Sequence, residues 1–318
     1  MTTTTTTTRP RFRRTAMAAV IAVAVIAISS CSPQSGSAGP LKVGSLTDGV
    51  VAYVASPDRV PGANDWNCKP TVAHPRPVVL VHGTAENMGF NWAALSPMLK
   101  NAGYCVFAIN HGEGILSLFG RVNGLGPVAG LANEVNGFID NVLAVTGASQ
   151  VDFVGHAQGG LIGTYYAKRL GGASKVGTMV QISPSNHGTT LSGLTSLGSA
   201  LGLLGIANIV LGAATPSLVD QQGGSPFQNA LFADGDVVAG PHYVVIQSTH
   251  DEVVTPYTNA FLSGPNVTNI LIQDQCPNDP TGHIGIVFDQ PALANVLNVL
   301  GPNTPGFTAS CTGYGIGL

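Results

Sequence analysis

The chain has 318 residues, 44% of them hydrophobic and only 9% charged, with a formal net charge of −3. So much apolar sequence supports a sizeable core and excludes intrinsic disorder, and the charged fraction is far below the roughly 25% of an average globular protein. Four of the 13 basic residues (Arg9, Arg11, Arg13, Arg14) lie in the leader, leaving nine against 16 acidic ones, a net charge near −7 that speaks against nucleic acid as a partner.

The chain opens on a threonine-rich tract and those four arginines. An apolar run over 16–28 and then Ser29-Ser30-Cys31 follow. A basic stretch, a short apolar stretch and a small-residue cleavage site predict a secretory signal peptide over 1–30, and the apolar run is short for a membrane span. Ile28-Ser29-Ser30-Cys31 resembles a bacterial lipobox, which makes Cys31 a lipidation candidate and a possible anchor point. The product is then either secreted or held as a lipoprotein on the outer face of the membrane. Residues 31–44, rich in Ser, Gly and Pro, read as a flexible tether or N-terminal extension. Setting Cys31 aside leaves Cys68, Cys105, Cys276 and Cys311, an even number in an oxidising compartment, hence two disulfides with three possible connectivities. The pairing favoured is Cys68–Cys105 and Cys276–Cys311, the second pinning the C-terminal tail to the loop before His283. No Cys-x-x-Cys occurs, so a zinc site has little support.

Residues 41–76 read as irregular, with an apolar patch at 50–54. The continuous apolar run 77–81, ending in His82-Gly83-Thr84, reads as a strand buried on both faces. Helical spacing of Trp92, Leu95, Met98 and Leu99 predicts a helix over 91–102, followed by a strand over 104–110. An amphipathic helix over 131–145 leads to a strand over 151–154 and a helix over 161–167. Strands are expected at 175–182, 243–247 and 267–272, and a last helix at 291–300. Strands alternating with helices predict an α/β fold, a mainly parallel central sheet flanked by helices, occupying 45–318 as one domain. The glycine-rich, apolar segment 188–240 breaks the alternation. It reads either as ordinary buried helices or, as favoured here, as a lid or cap over the site.

Between strand 151–154 and helix 161–167 lies Gly155-His156-Ala157-Gln158-Gly159-Gly160. Strand, sharp turn and helix with glycines at these places are the setting of the Gly-x-Ser-x-Gly nucleophile elbow, but the centre is Ala157. An alanine methyl cannot attack a carbonyl. Either serine was replaced by alanine in an otherwise intact enzyme, or the chain is a natural non-catalytic relative that binds lipid or ester. In this fold the acid and base follow the nucleophile in chain order. Asp251, just past the strand 243–247, is the best acid, with Glu252 the runner-up and expected to be solvated. His283 is the one histidine beyond it. The backbone N–H groups of Gln158 and Thr84 are the expected oxyanion donors; His82, His156 and His187 are expected at the cleft, His82 with the alternative reading of a packing residue that holds its loop, and His187 lining the cleft or shaping the lid hinge.

Taken together, 77–84, 155–160, Asn186-His187-Gly188-Thr189, 250–254 and Gly282-His283-Ile284-Gly285 resemble the secreted bacterial lipases and esterases of the α/β-hydrolase superfamily, in the class 2 lipase group found in actinobacteria. The resemblance covers roughly 45–315 and departs from the family's Gly-His-Ser-Gln-Gly-Gly elbow only at Ala157. It implies hydrolysis of triacylglycerols and simpler acyl esters at a lipid–water interface, through an acyl-enzyme and a Ser-Asp-His triad, by a monomer without metal or cofactor. The departure at Ala157 puts turnover in doubt, but not the fold.

Overall fold

A computed structural model describes residues 1–2, 39–114, 117, 120–203 and 215–318. The expected signal peptide, Cys31 and most of the tether therefore lie outside the described residues, as does 204–214 within the expected lid. Pro40–Leu318 forms one compact unit; the other unit, Met1–Gly39, is almost wholly undescribed. Among the described residues no helix is long and apolar enough to cross a membrane.

Six strands, β1 (Val78–Val81), β2 (Val106–Ile109), β3 (Val151–His156), β4 (Val176–Ile182), β5 (His242–Gln247) and β6 (Val267–Leu271), form one sheet in the order β2-β1-β3-β4-β5-β6. Every pairing is parallel. All four side chains of β1 are fully buried, and because side chains alternate along a strand they serve opposite faces. Val79 and Val81 pack with α4 (Val128–Thr146) and α5 (Gln158–Arg169). Val78 and Leu80 pack with α3 (Leu95–Asn101) and α10 (Gln290–Leu300). Each buried valine stabilises the fold by roughly 1.5–3 kcal/mol, which is why the strand reads as uninterrupted apolar sequence. At the sheet edge β6 exposes Thr268 and Asn269.

The chain leaves β1 toward β2, then crosses back to β3 on the other side of β1. Loops part at such a reversal of strand order and leave a crevice at the carboxyl ends of the two strands. Those ends are Val81-His82-Gly83 and His156-Ala157, with Val81 in register with Gly155. The topology alone therefore brings the elbow to the loop after the first strand.

Two local readings are corrected. The stretch around 50–54 is not irregular but α1 (Leu46–Ala55), opened by a capping box in which the Ser45 side chain accepts the Asp48 N–H and Asp48 answers the Ser45 N–H. Ser-x-x-Asp before an apolar run was the available signal. The helix expected over 91–102 is two pieces, α2 (Met88–Asn91) and α3. Pro97 has no N–H for the carbonyl of Ala93 four residues back, and that carbonyl accepts the N–H of Gly44 instead (3.0 Å). The disulfides are Cys68–Cys105 and Cys276–Cys311, the pairing favoured from the sequence.

The segment 188–240 contributes α6 (Leu191–Leu203), α7 (Pro216–Asp220) and α8 (Pro226–Phe232). A short helix α9 (Ile272–Gln275) follows β6.

Candidate active site

β3 runs straight into Ala157, which has φ 49° and ψ −118°, a backbone conformation rare for any residue with a side chain. Its neighbours explain how the turn closes. A Cβ on Gly155 would lie 2.5 Å from the backbone of Gly159, and one on Gly159 would lie 2.1 Å from the carbonyl oxygen of Val81. Only hydrogens fit, so strand, turn and helix can pack this tightly only with glycine at both places. Gln158 begins α5, where the first N–H groups have no intrahelical acceptor and the helix dipole is positive.

Asp251 and His283 meet. Nδ1 of His283 lies 3.0 and 3.1 Å from the two carboxylate oxygens of Asp251, and both side chains are buried. Asp251 Oδ1 also accepts the N–H groups of Val253 (2.9 Å) and Val254 (2.7 Å), which fix the carboxylate. Burial pushes the Asp251 carboxyl upward, but the His283 charge, its hydrogen bond and those two N–H donors hold it below the usual carboxylate range. Burial likewise pushes the His283 ring downward. The charge and hydrogen bond of Asp251, with Glu252 and Glu86 behind, more than reverse this, and the ring sits above the ordinary histidine value. With Nδ1 engaged, Nε2 is the ring nitrogen left for chemistry.

Ala157 and His283 line one cavity together with Thr84, Glu86, Ser185, Gln221, Val253, Val254 and, from α6, Leu194 and Leu197. Its volume is about 10 Å³, enough for about one water. Thr84 is buried, and its hydroxyl oxygen accepts a hydrogen bond from Gln221 Nε2 (2.9 Å). The hydroxyl hydrogen is thus left for another acceptor. Tyr53 of α1 donates to the carbonyl of Ala85 (3.1 Å) and steadies the same loop from behind.

Of the three histidines expected in the cleft, none lines this cavity. His82 is fully buried and stacks on His111 at 4.1 Å between ring centroids. Its Nδ1 donates to the Gly83 carbonyl (2.8 Å), so it holds the loop rather than facing substrate. His156 is buried beneath the elbow, between Glu86 and the carbonyl of His283. His187 borders a separate surface cavity of about 300 Å³, beside Phe232 and 3.5 Å from Asp236. The reason is common to all three: adjacency to a glycine turn in sequence does not say toward which side of the loop a ring points. Glu252 is not simply solvated either, since Oε2 accepts the His283 N–H (3.3 Å).

Sequence reasoning passed over Glu86, Asn91 and Gln221. Glu86 carried a signal, being an acid in a loop with few other charges directly after a buried strand. Gln221 had none, because its partner Thr84 is 137 residues away.

A profile of the family described as Lipase (class 2) matches residues 75–285, more than half of the chain. The chain is similar to a triacylglycerol lipase of Pseudarthrobacter phenanthrenivorans, with 34% identity over 96 residues, 29% of this chain and 28% of that one. A triacylglycerol lipase of Burkholderia plantarii matches at the same identity over 29% of this chain and 25% of its own. The chain thus spans about a quarter of the length of these curated relatives. Among solved structures it resembles Aspergillus fumigatus lipase B, with a TM-score of 0.59 and 24% identity, covering 78% of this chain and 57% of that one. It also resembles a monoglyceride lipase from Saccharomyces cerevisiae, with a TM-score of 0.51 and 16% identity, covering 74% and 89%. At these identities the structural likeness establishes the fold, that of the α/β-hydrolases. On the strength of the profile match, with the strand order and turn geometry in agreement, the chain belongs to the class 2 lipase family.

Proposed function

We propose that the protein is a carboxylic ester hydrolase of the triacylglycerol lipase type, whose nucleophile position is occupied by Ala157. The observation that carries this reading is the buried Asp251–His283 pair opening onto the cavity lined by Ala157. With serine at 157, His283 Nε2 takes the hydroxyl proton as oxygen attacks the ester carbonyl. Asp251 stabilises the resulting imidazolium, and His283 then returns the proton to the departing alcohol. The N–H groups of Thr84 and Gln158 receive the negative charge on the carbonyl oxygen. The acyl-enzyme is hydrolysed by the same relay acting on water. No step calls for a metal or cofactor.

A ligand pocket for a drug-sized molecule measures ~300–1,000 Å³, far more than the space beside Ala157. In this reading α6 is part of a lid over 188–240, and Leu194 and Leu197 move aside to admit an acyl chain. Gly193 is the fixed end, since a Cβ there would strike the Val253 carbonyl at 2.1 Å. The substrate is an acyl ester or triacylglycerol at a lipid–water interface. The signal-like leader and two disulfides support export.

The test is Ala157→Ser, assayed on p-nitrophenyl butyrate and emulsified tributyrin. Hydrolysis should rise by ~10⁶-fold over the chain as it stands, the usual scale for supplying a missing serine. A folded Ala157→Ser protein that binds the ester without cleaving it would support a lipid- or ester-binding role instead.

A further inference from the structure

His156 has no exposed surface, and acceptors face both of its ring nitrogens. Nε2 lies 3.1 Å from the carbonyl oxygen of His283 and must carry a proton to bond it. Nδ1 lies 3.1 Å from Glu86 Oε2. Asn91 Nδ2, which can only donate, lies 3.2 Å from the same nitrogen, so Nδ1 is the ring's acceptor and is held between that amide and the Glu86 carboxyl group.

Glu86 Oε2 has a second task. It accepts the N–H of Gly83 at 3.0 Å, shared with Asn91 Oδ1, also at 3.0 Å. Gly83 lies against the reaction centre, where a Cβ on it would come 3.1 Å from the Ala157 methyl. The carbonyl of Glu86 accepts the N–H of Asn123 (3.2 Å), which anchors the acid itself. One carboxylate oxygen and one imidazole therefore join the loop after β1, the elbow, and the backbone of the proposed base. These three are distant in sequence, separated by 70 and 127 positions.

We propose that Glu86 and His156 are a positioning pair: their contact, with Asn91 holding both Gly83 and the ring, fixes the distance from the Gly83-Thr84 loop to His283, and so aligns oxyanion donors and base. The inference rests on the ester hydrolase reading of the cavity. Glutamine at 86 cannot replace the acid. Its amide can accept from Gly83 through oxygen or face His156 through nitrogen, but no single atom then serves both partners as Oε2 does. Either way the three loops lose their common anchor.

The experiment uses two backgrounds. In Ala157→Ser, adding Glu86→Gln should lower kcat by roughly 10²-fold, the effect of a misplacement near 1 Å, with KM within about twofold. The acidic limb of the pH profile, where His283 takes up a proton and can no longer act as base, should move to lower pH because the carboxylate behind that ring is gone. Unchanged kcat, or a loss confined to KM, overturns the proposal. In the chain with Ala157 no turnover is needed. Side-chain NMR should find the His156 proton on Nε2, facing the His283 carbonyl, and Glu86→Gln should shift the His283 Nδ1–H resonance. An Nε2 without a proton, or an unmoved His283 signal, sinks the pair. Because the Nε2 reading on the unsubstituted chain requires neither activity nor a variant, it separates failure of the pair from failure of the hydrolase reading. It also stands if Glu86→Gln does not fold.

Discussion

Two groups of buried histidines lie within one loop of each other and titrate in opposite directions. His82 and His111, stacked side by side, are both pushed well below the ordinary histidine value by burial, His111 to about 4. His283 is as deeply buried, yet it is raised. The difference is the partner. His82 and His111 hydrogen-bond to backbone carbonyls, which satisfy a neutral ring but do not stabilise a charged one enough to offset desolvation. His283 faces a carboxylate with no intervening atoms. Burial alone makes a structural histidine; burial beside a fixed carboxylate makes one able to hold and release a proton.

Breaking the carboxylate side should have the largest effect. In the Ala157→Ser background, Asp251→Asn should lower kcat by about 10⁴-fold, because an amide no longer fixes the tautomer or stabilises the imidazolium. Steady-state kinetics on a short acyl ester measures it, and a loss of tenfold or less would mean that another acid serves His283. On the other side, His111 has a folded-state value near 4 against 6.5 unfolded. The unfolded chain then binds more protons between those values, so stability is retained above pH 6.5 and lost on acidification toward pH 4. His111→Asn should remove on the order of 1–3 kcal/mol of that pH dependence. Urea unfolding at pH 4.5 and 7.5 reads it, and an equal slope in both proteins would refute the depressed value.

Asp289 sharpens the contrast in a carboxyl group. It is buried near Asp279 and is pushed up to about 7, by burial first and then by its neighbour's charge. The folded state holds this proton between the unfolded value of 3.8 and about 7, so stability falls as pH rises through that window. Replacing Asp279 with asparagine should flatten the decline in melting temperature between pH 4 and 7. The smallest effect belongs to Glu252, whose charge adds to that of Asp251 on His283. Glu252→Gln in the Ala157→Ser enzyme should move the acidic limb of kcat/KM downward in pH with little change in its plateau. A limb that stays in place would leave the raised value to the other carboxylates, Asp251 first.

The amino-acid order determined the parallel α/β plan, because β1 needs both faces covered and says so in four consecutive apolar residues. It also determined the elbow, because close backbone approach leaves glycine no substitute at 155 and 159, and it made Asp251 and His283 the acid and base candidates through chain order. What it could not decide was orientation. Whether His156 looks into the cleft or beneath it, whether Glu86 reaches Gly83, and whether Gln221 meets Thr84 depend on contacts between residues 3 to 137 positions apart. Such polar contacts leave no periodic trace, since one hydrogen bond needs one residue of the right kind and no pattern around it. Only the folded sheet, by bringing the ends of β1 and β3 together, settled which side chains share that small buried space.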